Sequence, residues 1–191
     1  NYQKRDGTQM APSLVLVDSG DQTDMVYDFC VDTAEYTLPS KGASKKLETD
    51  YKISTINKAG SRATGHPLVM VDTSKYKDRI AARMARKNGN GAWMVFRGID
   101  DEYAAQVTAE HKINERQANG KIVQKWVPKG SHKDNHYLDA EVYAMAAADI
   151  RGARTWHLDK YEPSEAPKKS RSGSEAKEEQ WIRENELEGW I

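Results

Sequence analysis

Ser13-Leu14-Val15-Leu16-Val17-Asp18 is the stretch of sequence that decides the fold. Its four consecutive apolar residues predict a strand that is buried on both faces, as the strands of parallel sheets are. The run ends at a carboxylate, and Ser19-Gly20 then indicates a turn. Residues 23–33 follow as a short amphipathic helix, so the chain opens with the strand–turn–helix pattern of α/β proteins.

A second stretch repeats this pattern further along the chain. Leu68-Val69-Met70-Val71 predicts another buried strand, which ends at Asp72 and leads into a helix over residues 75–87. Further strands are predicted at residues 35–38, 51–56, 92–96 and 121–127, and further helices at 100–116 and 135–150. The alternation predicts an α/β domain with helices on both faces of the sheet.

Composition narrows the protein class. Of the 191 residues, 38% are hydrophobic and 30% are charged, which is typical of a soluble protein with a polar surface. No apolar run is long enough to cross a membrane, and the first residues do not form a secretory signal. The single cysteine, Cys30, excludes an internal disulfide and a thiolate zinc cage, and its apolar neighbours predict a buried structural thiol in a reducing, cytoplasmic setting.

The chain changes character near residue 160. Residues 163–179 consist mainly of Pro, Ser, Lys and Glu without an apolar face, which predicts a flexible linker. Large apolar residues return in the tail, at Trp181 and Trp190. We therefore expect one domain over residues 1–160 and a linker with a C-terminal tail over residues 161–191.

Three acids are candidates for catalysis: Asp18 and Asp72 at strand ends, and Asp139 in the first turn of the last helix. If the two strands are parallel neighbours, Asp18 and Asp72 converge at the carboxyl edge of the sheet, where sites form in open α/β proteins. Clustered carboxylates need a counter-charge, and Mg²⁺ or Mn²⁺ is the natural one. Two such ions can hold the attacking water and the leaving oxygen of a phosphodiester. Each Asp can equally be an ordinary cap or turn residue.

Other chemistries find less support. The sequence has no phosphate-binding loop for ATP and no Gly-x-Ser-x-Gly elbow. His132 and His136 are four residues apart, but no third imidazole is placed to complete a zinc site. Glu110 is predicted to face solvent from a helix, and the alternative is an acid that supports the site from behind the metal ligands.

Residues 41–87 carry twelve Lys and Arg against four acids. A local excess of positive charge suits a polyanion such as DNA, although a solvated surface gives the same composition.

Four stretches together resemble the nuclease domain of lambda-like bacteriophage terminase large subunits. They are LVLVDSGDQTDMVYDFC (14–30), LVMVDTSKYKDRIAARM (68–84), DEYAAQVTAEH (101–111) and KWVPKGSHKDNHYLDAEVYAMAAAD (125–149). The last is the most specific. One position departs from the pattern, since His136 stands where relatives often have Glu.

The resemblance implies a ribonuclease-H-like, resolvase-like fold with a mixed sheet flanked by helices. It implies an endonuclease that cuts concatemeric double-stranded phage DNA in the host cytoplasm, with Asp18, Asp72 and Asp139 as the catalytic acids that bind two Mg²⁺ or Mn²⁺ ions. The implied partners are DNA, the terminase small subunit and the portal protein, with no membrane. An ATPase domain would precede this chain, and the C-terminal tail would dock on the portal or pack back on the domain.

The resemblance and the local basic charge agree on a set of DNA contacts: Lys41, Lys45, Lys46, Lys75, Lys77, Arg79 and Arg83. Such contacts would give salt-dependent binding that is largely independent of sequence. Two alternatives stay open. One is another ribonuclease-H-like nuclease such as a junction resolvase, and the other is a non-catalytic module that docks the motor on the portal.

Overall fold

The computed structural model describes residues 2–87, 89, 91–130 and 134–153. The predicted linker and tail, residues 161–191, and His132 lie outside these residues. In chain order the elements are β1 (Tyr2–Gln3), β2 (Gln9–Met10), β3 (Val15–Asp18), α1 (Thr23–Asp32), β4 (Thr37–Gly42), β5 (Tyr51–Thr55), β6 (Pro67–Val71), α2 (Thr73–Met84), α3 (Asp101–Val107), β7 (Glu110–Arg116), β8 (Ile122–Pro128) and α4 (His136–Ile150).

Four strands form the central sheet, in the order β3, β4, β6, β5. β3, β4 and β6 are parallel, and β5 runs antiparallel to β6 at the far edge. In this register Asp18 lies opposite Ser40, and Ser40 lies opposite Val69. The predicted mixed sheet is confirmed.

Helices cover both faces of this sheet. On one face, α2 and α4 pack over the strands around the fully buried Val69, Val71 and Val142. On the other face, Tyr27 of α1 packs with Ile56, and Leu68, which alternates with Val69, lies against this second cluster. Each buried aliphatic or aromatic side chain contributes about 1.5–3 kcal/mol relative to exposure, so these contacts explain why the helices adhere to the sheet.

A long hairpin forms a separate two-stranded sheet. β7 and β8 pair over seven residues each, through the turn at Gly120, whose φ of 80° suits glycine. The hairpin is attached to α2 because Asp78 accepts hydrogen bonds from Lys112 Nζ at 2.7 Å and from Trp126 Nε1 at 3.0 Å.

Two predicted elements differ in the structure. Residues 92–96, predicted as a strand, are irregular, and Met94 and Phe96 are 70% and 73% exposed. No strand in the described part of the chain pairs with them. The helix predicted over residues 100–116 ends at Val107, and residues 110–116 pair instead with β8. That pairing supplies backbone hydrogen bonds that a longer helix would have had to supply locally.

Two predictions from composition can be compared with the structure. Cys30 is 2% exposed, and burial raises the pKa of its thiol, so the predicted buried structural cysteine is confirmed. None of the helices in the described ranges combines the length and the apolar character that crossing a membrane requires.

Candidate active site

Asp18 ends β3 at the edge of the central sheet, with its side chain exposed. The Gly20 N–H donates to Asp18 Oδ1 at 2.9 Å. A Cβ on Gly20 would lie 3.3 Å from that oxygen, so glycine permits the close approach. β3 was predicted to be buried on both faces. In the structure it is only partly buried, and among the described residues β4 is its one hydrogen-bonded neighbour.

The turn after Asp18 is fixed by buried polar contacts. Ser19 is fully buried, and both its N–H and its hydroxyl donate to the Ser40 carbonyl, at 2.8 and 2.9 Å. The Thr23 hydroxyl donates to the Ser19 carbonyl at 2.8 Å, which joins the start of α1 to the end of β3. Gln22, between them, has a left-handed φ of 47°. Asp18 is therefore carried by a turn with little freedom, as a functional carboxylate requires.

Asp139 lies on the same cleft as Asp18. The cleft has a volume of about 570 Å³, and its polar lining residues include Asp18, His136, Asp139 and Tyr143. Asp139 and Tyr143 are one turn apart on α4, so their side chains project from the same face of the helix. Asp139 is partly accessible, with 39% of its side chain exposed.

Tyr143 is influenced by both acids. Burial raises the pKa of the Tyr143 hydroxyl, and the charge of Asp18, a side-chain interaction with Asp18 and the charge of Asp139 raise it further. The hydroxyl, in its neutral form, is therefore available as a donor to the Asp18 carboxylate.

Asp72 has a different environment. It is 4% exposed, and its oxygens accept hydrogen bonds from two backbone groups, Leu47 N–H at 3.0 Å and Lys75 N–H at 3.2 Å. It is the N-cap of α2, a position where Asp is favoured because it satisfies a free N–H. The Asp72 carboxylate thus joins α2 to the loop that follows β4.

The expectation that the two acidic strands are neighbours is wrong. They are parallel, but β4 lies between β3 and β6. Since Asp18 is level with Val69, the backbones of Asp18 and Asp72 are roughly 14 Å apart, at about 3.3 Å per residue and 4.8 Å per strand. Within the described ranges, no three His, Cys, Asp or Glu side chains are grouped closely enough to hold a metal ion.

Glu110 is placed differently from the sequence prediction. It begins β7 rather than lying on a helix, and its side chain is 7% exposed rather than solvated. Lys77 Nζ lies 2.8 Å from Glu110 Oε1, and Asn135 Nδ2 donates to the same oxygen at 2.6 Å. Lys77 Nζ also lies 3.1 Å from Asp139 Oδ1. Lys77, predicted to contact DNA, is instead a buried cation between two carboxylates.

Two more predicted DNA contacts are engaged within the protein. Lys75 Nζ donates to three consecutive carbonyls, those of residues 47–49, each at 2.9 Å. Arg79 pairs with Asp50 and with Asp149, the latter at 3.3 Å. The donors of both residues therefore already satisfy internal acceptors, and their role as DNA contacts stays a prediction.

The remaining basic candidates are more accessible. Lys45 and Lys46, in the loop after β4, and Arg83, near the end of α2, are exposed. Lys41 is half-buried, with its Nζ 5.8 Å from the centre of the Tyr27 ring.

Sequence reasoning did not find the role of Tyr143 or the burial of Lys77. Tyr143 follows Asp139 by four residues, which is a helical signal that could have paired them. Lys77 is next to Tyr76 and three residues before Ile80, both fully buried, so its position on the inward side of α2 was also readable.

Comparison with protein families matches residues 1–159 to the family described as "Terminase large subunit gpA, endonuclease domain". No curated protein sequence and no solved structure matches the chain. The matched stretch contains Asp18, Asp72 and Asp139, together with Lys77, Glu110 and the other residues of the cleft.

Proposed function

The chain belongs to the family of terminase large subunit gpA endonuclease domains, and from this premise we propose that it cuts concatemeric double-stranded phage DNA by metal-dependent hydrolysis. The observation that carries the proposal is that Asp18 and Asp139, from opposite ends of the sequence, line one cleft. Membership of the family supports an endonuclease reaction, and the shared cleft supports Asp18 and Asp139 as its location. A ribonuclease-H-like fold, the host cytoplasm, and the small subunit and portal as partners are part of the same proposal.

The donor chemistry of the cleft fits a divalent metal. Mg²⁺ and Mn²⁺ prefer carboxylate oxygens, and one or two protein carboxylates suffice when water and substrate phosphates complete the shell. Asp18 and Asp139 provide two accessible carboxylates, which we propose as the ligands. When bound, such ions would polarise the phosphate and increase the reactivity of water near neutral pH.

A second ion and a third ligand, Asp72, stay predictions. Each Asp72 oxygen already accepts one backbone N–H, from Leu47 or from Lys75, so a metal would share these oxygens with the backbone. The role of Asp72 as the N-cap of α2 explains an aspartate at this position even without a metal. A variant that preserves capping separates the two roles.

The protein's own residues would prepare the cleft in three ways. The turn anchored by Ser19 fixes the position of Asp18. The Tyr143 hydroxyl, which stays neutral, would donate to the Asp18 carboxylate. Apolar residues of β3 and α4, such as Leu16 and Ala140, line the same cleft and form its apolar wall.

DNA would be held by phosphate contacts with accessible basic residues of the domain. We propose Lys45, Lys46 and Arg83 because they are exposed, and Lys41 because it is partly so. Each phosphate contact releases condensed counterions, so the affinity should fall steeply with salt.

The proposal is tested by plasmid cleavage with the whole chain in Mn²⁺ or Mg²⁺. We expect Asp18→Asn and Asp139→Asn to lower cleavage by at least about 100-fold. The loss of a group that only supports a metal ligand lowers activity by up to about 100-fold, and the loss of a ligand itself should lower it at least as much. Asp101→Asn is the matched control, because Asp101 is an exposed acid on α3 and does not line the cleft. Full activity in folded Asp18→Asn protein would refute the proposal.

Cleavage of branched DNA, Mn²⁺ binding and portal binding, measured on the same chain, decide between the alternatives. Cleavage of a four-way junction far better than of linear duplex would indicate a resolvase. A wild-type chain that binds the portal but neither binds Mn²⁺ nor cuts DNA would indicate a docking module.

A further inference from the structure

Lys77 links a deeply buried acid to an acid of the cleft. Its ammonium group lies 2.8 Å from Glu110 Oε1 and 3.1 Å from Asp139 Oδ1, and its side chain is 10% exposed. The three residues come from three elements: Lys77 from α2, Glu110 from β7 and Asp139 from α4. We propose that Lys77 is a positioning residue, which holds Asp139 in the orientation needed to bind a divalent cation. The inference rests on the proposed function.

Glu110 is the buried acid of this linkage, and two partners hold it in place. Its side chain is 7% exposed, and a carboxylate so far from water is stable in its charged form only when it is paired and hydrogen-bonded. Lys77 supplies the charge, and Asn135 supplies a further hydrogen bond at 2.6 Å. Asn135 is also the residue immediately before α4, so the same glutamate is tied to the start of the helix that carries Asp139.

Asp139 is the partly exposed acid of this linkage. Its side chain is 39% exposed and would have freedom to rotate on the surface of α4 without the ion pair. The pair with Lys77 engages one of its two oxygens, so rotation of the carboxylate would break a contact with a cation that water reaches poorly. A supporting contact of this kind orients a metal ligand before the ion arrives, and its loss typically weakens metal affinity by about 10–100-fold.

The experiment compares two charge-neutral double replacements, each of an α2 residue and its partner on β7. In Lys77→Met with Glu110→Gln, one positive and one negative charge are removed, so the net charge near Asp139 is unchanged. The glutamine can still accept the hydrogen bond from Asn135. The matched control is Lys112→Met with Asp78→Asn, which removes the neighbouring ion pair between α2 and the hairpin, and neither of these residues lines the cleft.

Mn²⁺ affinity is measured by titration calorimetry on the whole chain, and folding by thermal unfolding. We expect the Lys77/Glu110 variant to keep a cooperative transition but to bind Mn²⁺ about 10–100-fold more weakly. The Lys112/Asp78 variant should bind Mn²⁺ as the wild type does. If the first variant does not fold, Lys77→Leu with Glu110→Leu replaces the pair by apolar side chains and is read in the same way.

The outcomes distinguish the inference from its premise. Unchanged Mn²⁺ affinity in a folded Lys77/Glu110 variant overturns the positioning role and leaves the proposed function intact. Equal weakening in the control variant also overturns it, because the effect would then be general. If the wild type binds no Mn²⁺, or Asp139→Asn binds it as tightly, the proposed function and the inference both fail.

Discussion

Replacing Asp72 by alanine should cost about 3 kcal/mol of the free energy of unfolding. The change removes a helix cap, which contributes about 1 kcal/mol, and a second hydrogen bond between a backbone N–H and a charged group, which contributes about 1.5–3 kcal/mol. Asp72 is 4% exposed, so water cannot easily replace its oxygens. Since domains are stable by about 5–15 kcal/mol, the loss is a large share of the total.

Urea denaturation followed by circular dichroism measures the loss. With an m-value of about 2 kcal/mol/M, the midpoint should fall by about 1.5 M. Asp72→Asn keeps one acceptor oxygen, so we expect about half of this shift. Asp101→Ala is the control: an exposed acid in the first turn of α3 contributes less than about 1 kcal/mol through the helix dipole. A midpoint for Asp72→Ala within about 0.5 M of the wild type, which corresponds to about 1 kcal/mol at this m-value, would refute the reasoning.

The same variants test whether Asp72 is also a metal ligand. If Asp72→Asn folds and its cleavage rate stays near that of the wild type, the residue is only a cap. If cleavage falls by about 100-fold or more in folded protein, the original prediction of a third ligand is supported.

Three further predictions concern charge. Lys77→Met alone should lower the free energy of unfolding by about 3–5 kcal/mol in urea denaturation, because it leaves Glu110 buried without a cation. Adding Glu110→Gln should restore most of this loss. A Lys77→Met protein as stable as the wild type would contradict the prediction. Burial is the main cause that raises the pKa of Tyr103 to about 12. The unfolded chain releases this proton near pH 10, so the contribution of Tyr103 to stability is complete below about pH 10 and is lost as the pH rises toward 12; Tyr103→Phe should flatten this decline in denaturation curves, and an unchanged decline would count against it. Lys45→Gln with Lys46→Gln should reduce the slope of log affinity for duplex DNA against log salt by about 2, and an unchanged slope would exclude both as phosphate contacts.

The spacing of apolar residues correctly predicted the elements that pack against the core through one apolar face. The helix over residues 135–150 was placed correctly because Leu138 and Val142 repeat at a helical interval and face the sheet. β7 was missed because it follows a helical stretch without a Pro or Gly between them, and its strand conformation depends on pairing with β8. Whether a segment such as residues 110–116 forms a strand depends on the strand with which it pairs, and not on its own sequence alone.

The arrangement of the cleft was only partly accessible from sequence. The ends of apolar runs singled out Asp18 and Asp72, but they do not give the order of strands in the sheet. β4 was expected, yet its place between β3 and β6 is set by long-range pairing, and this order is what separates the two acids. The burial of Lys77 likewise depends on Glu110, which arrives from a hairpin 33 residues later in the chain.

Helix α2 joins the hairpin to the cleft through two neighbouring residues. Lys77 pairs with Asp139 of the cleft, and Asp78, the next residue, pairs with Lys112 of the hairpin. Lys77 also pairs with Glu110, where the hairpin begins. Hairpin and cleft are therefore connected through one peptide unit of a helix, without an intervening loop.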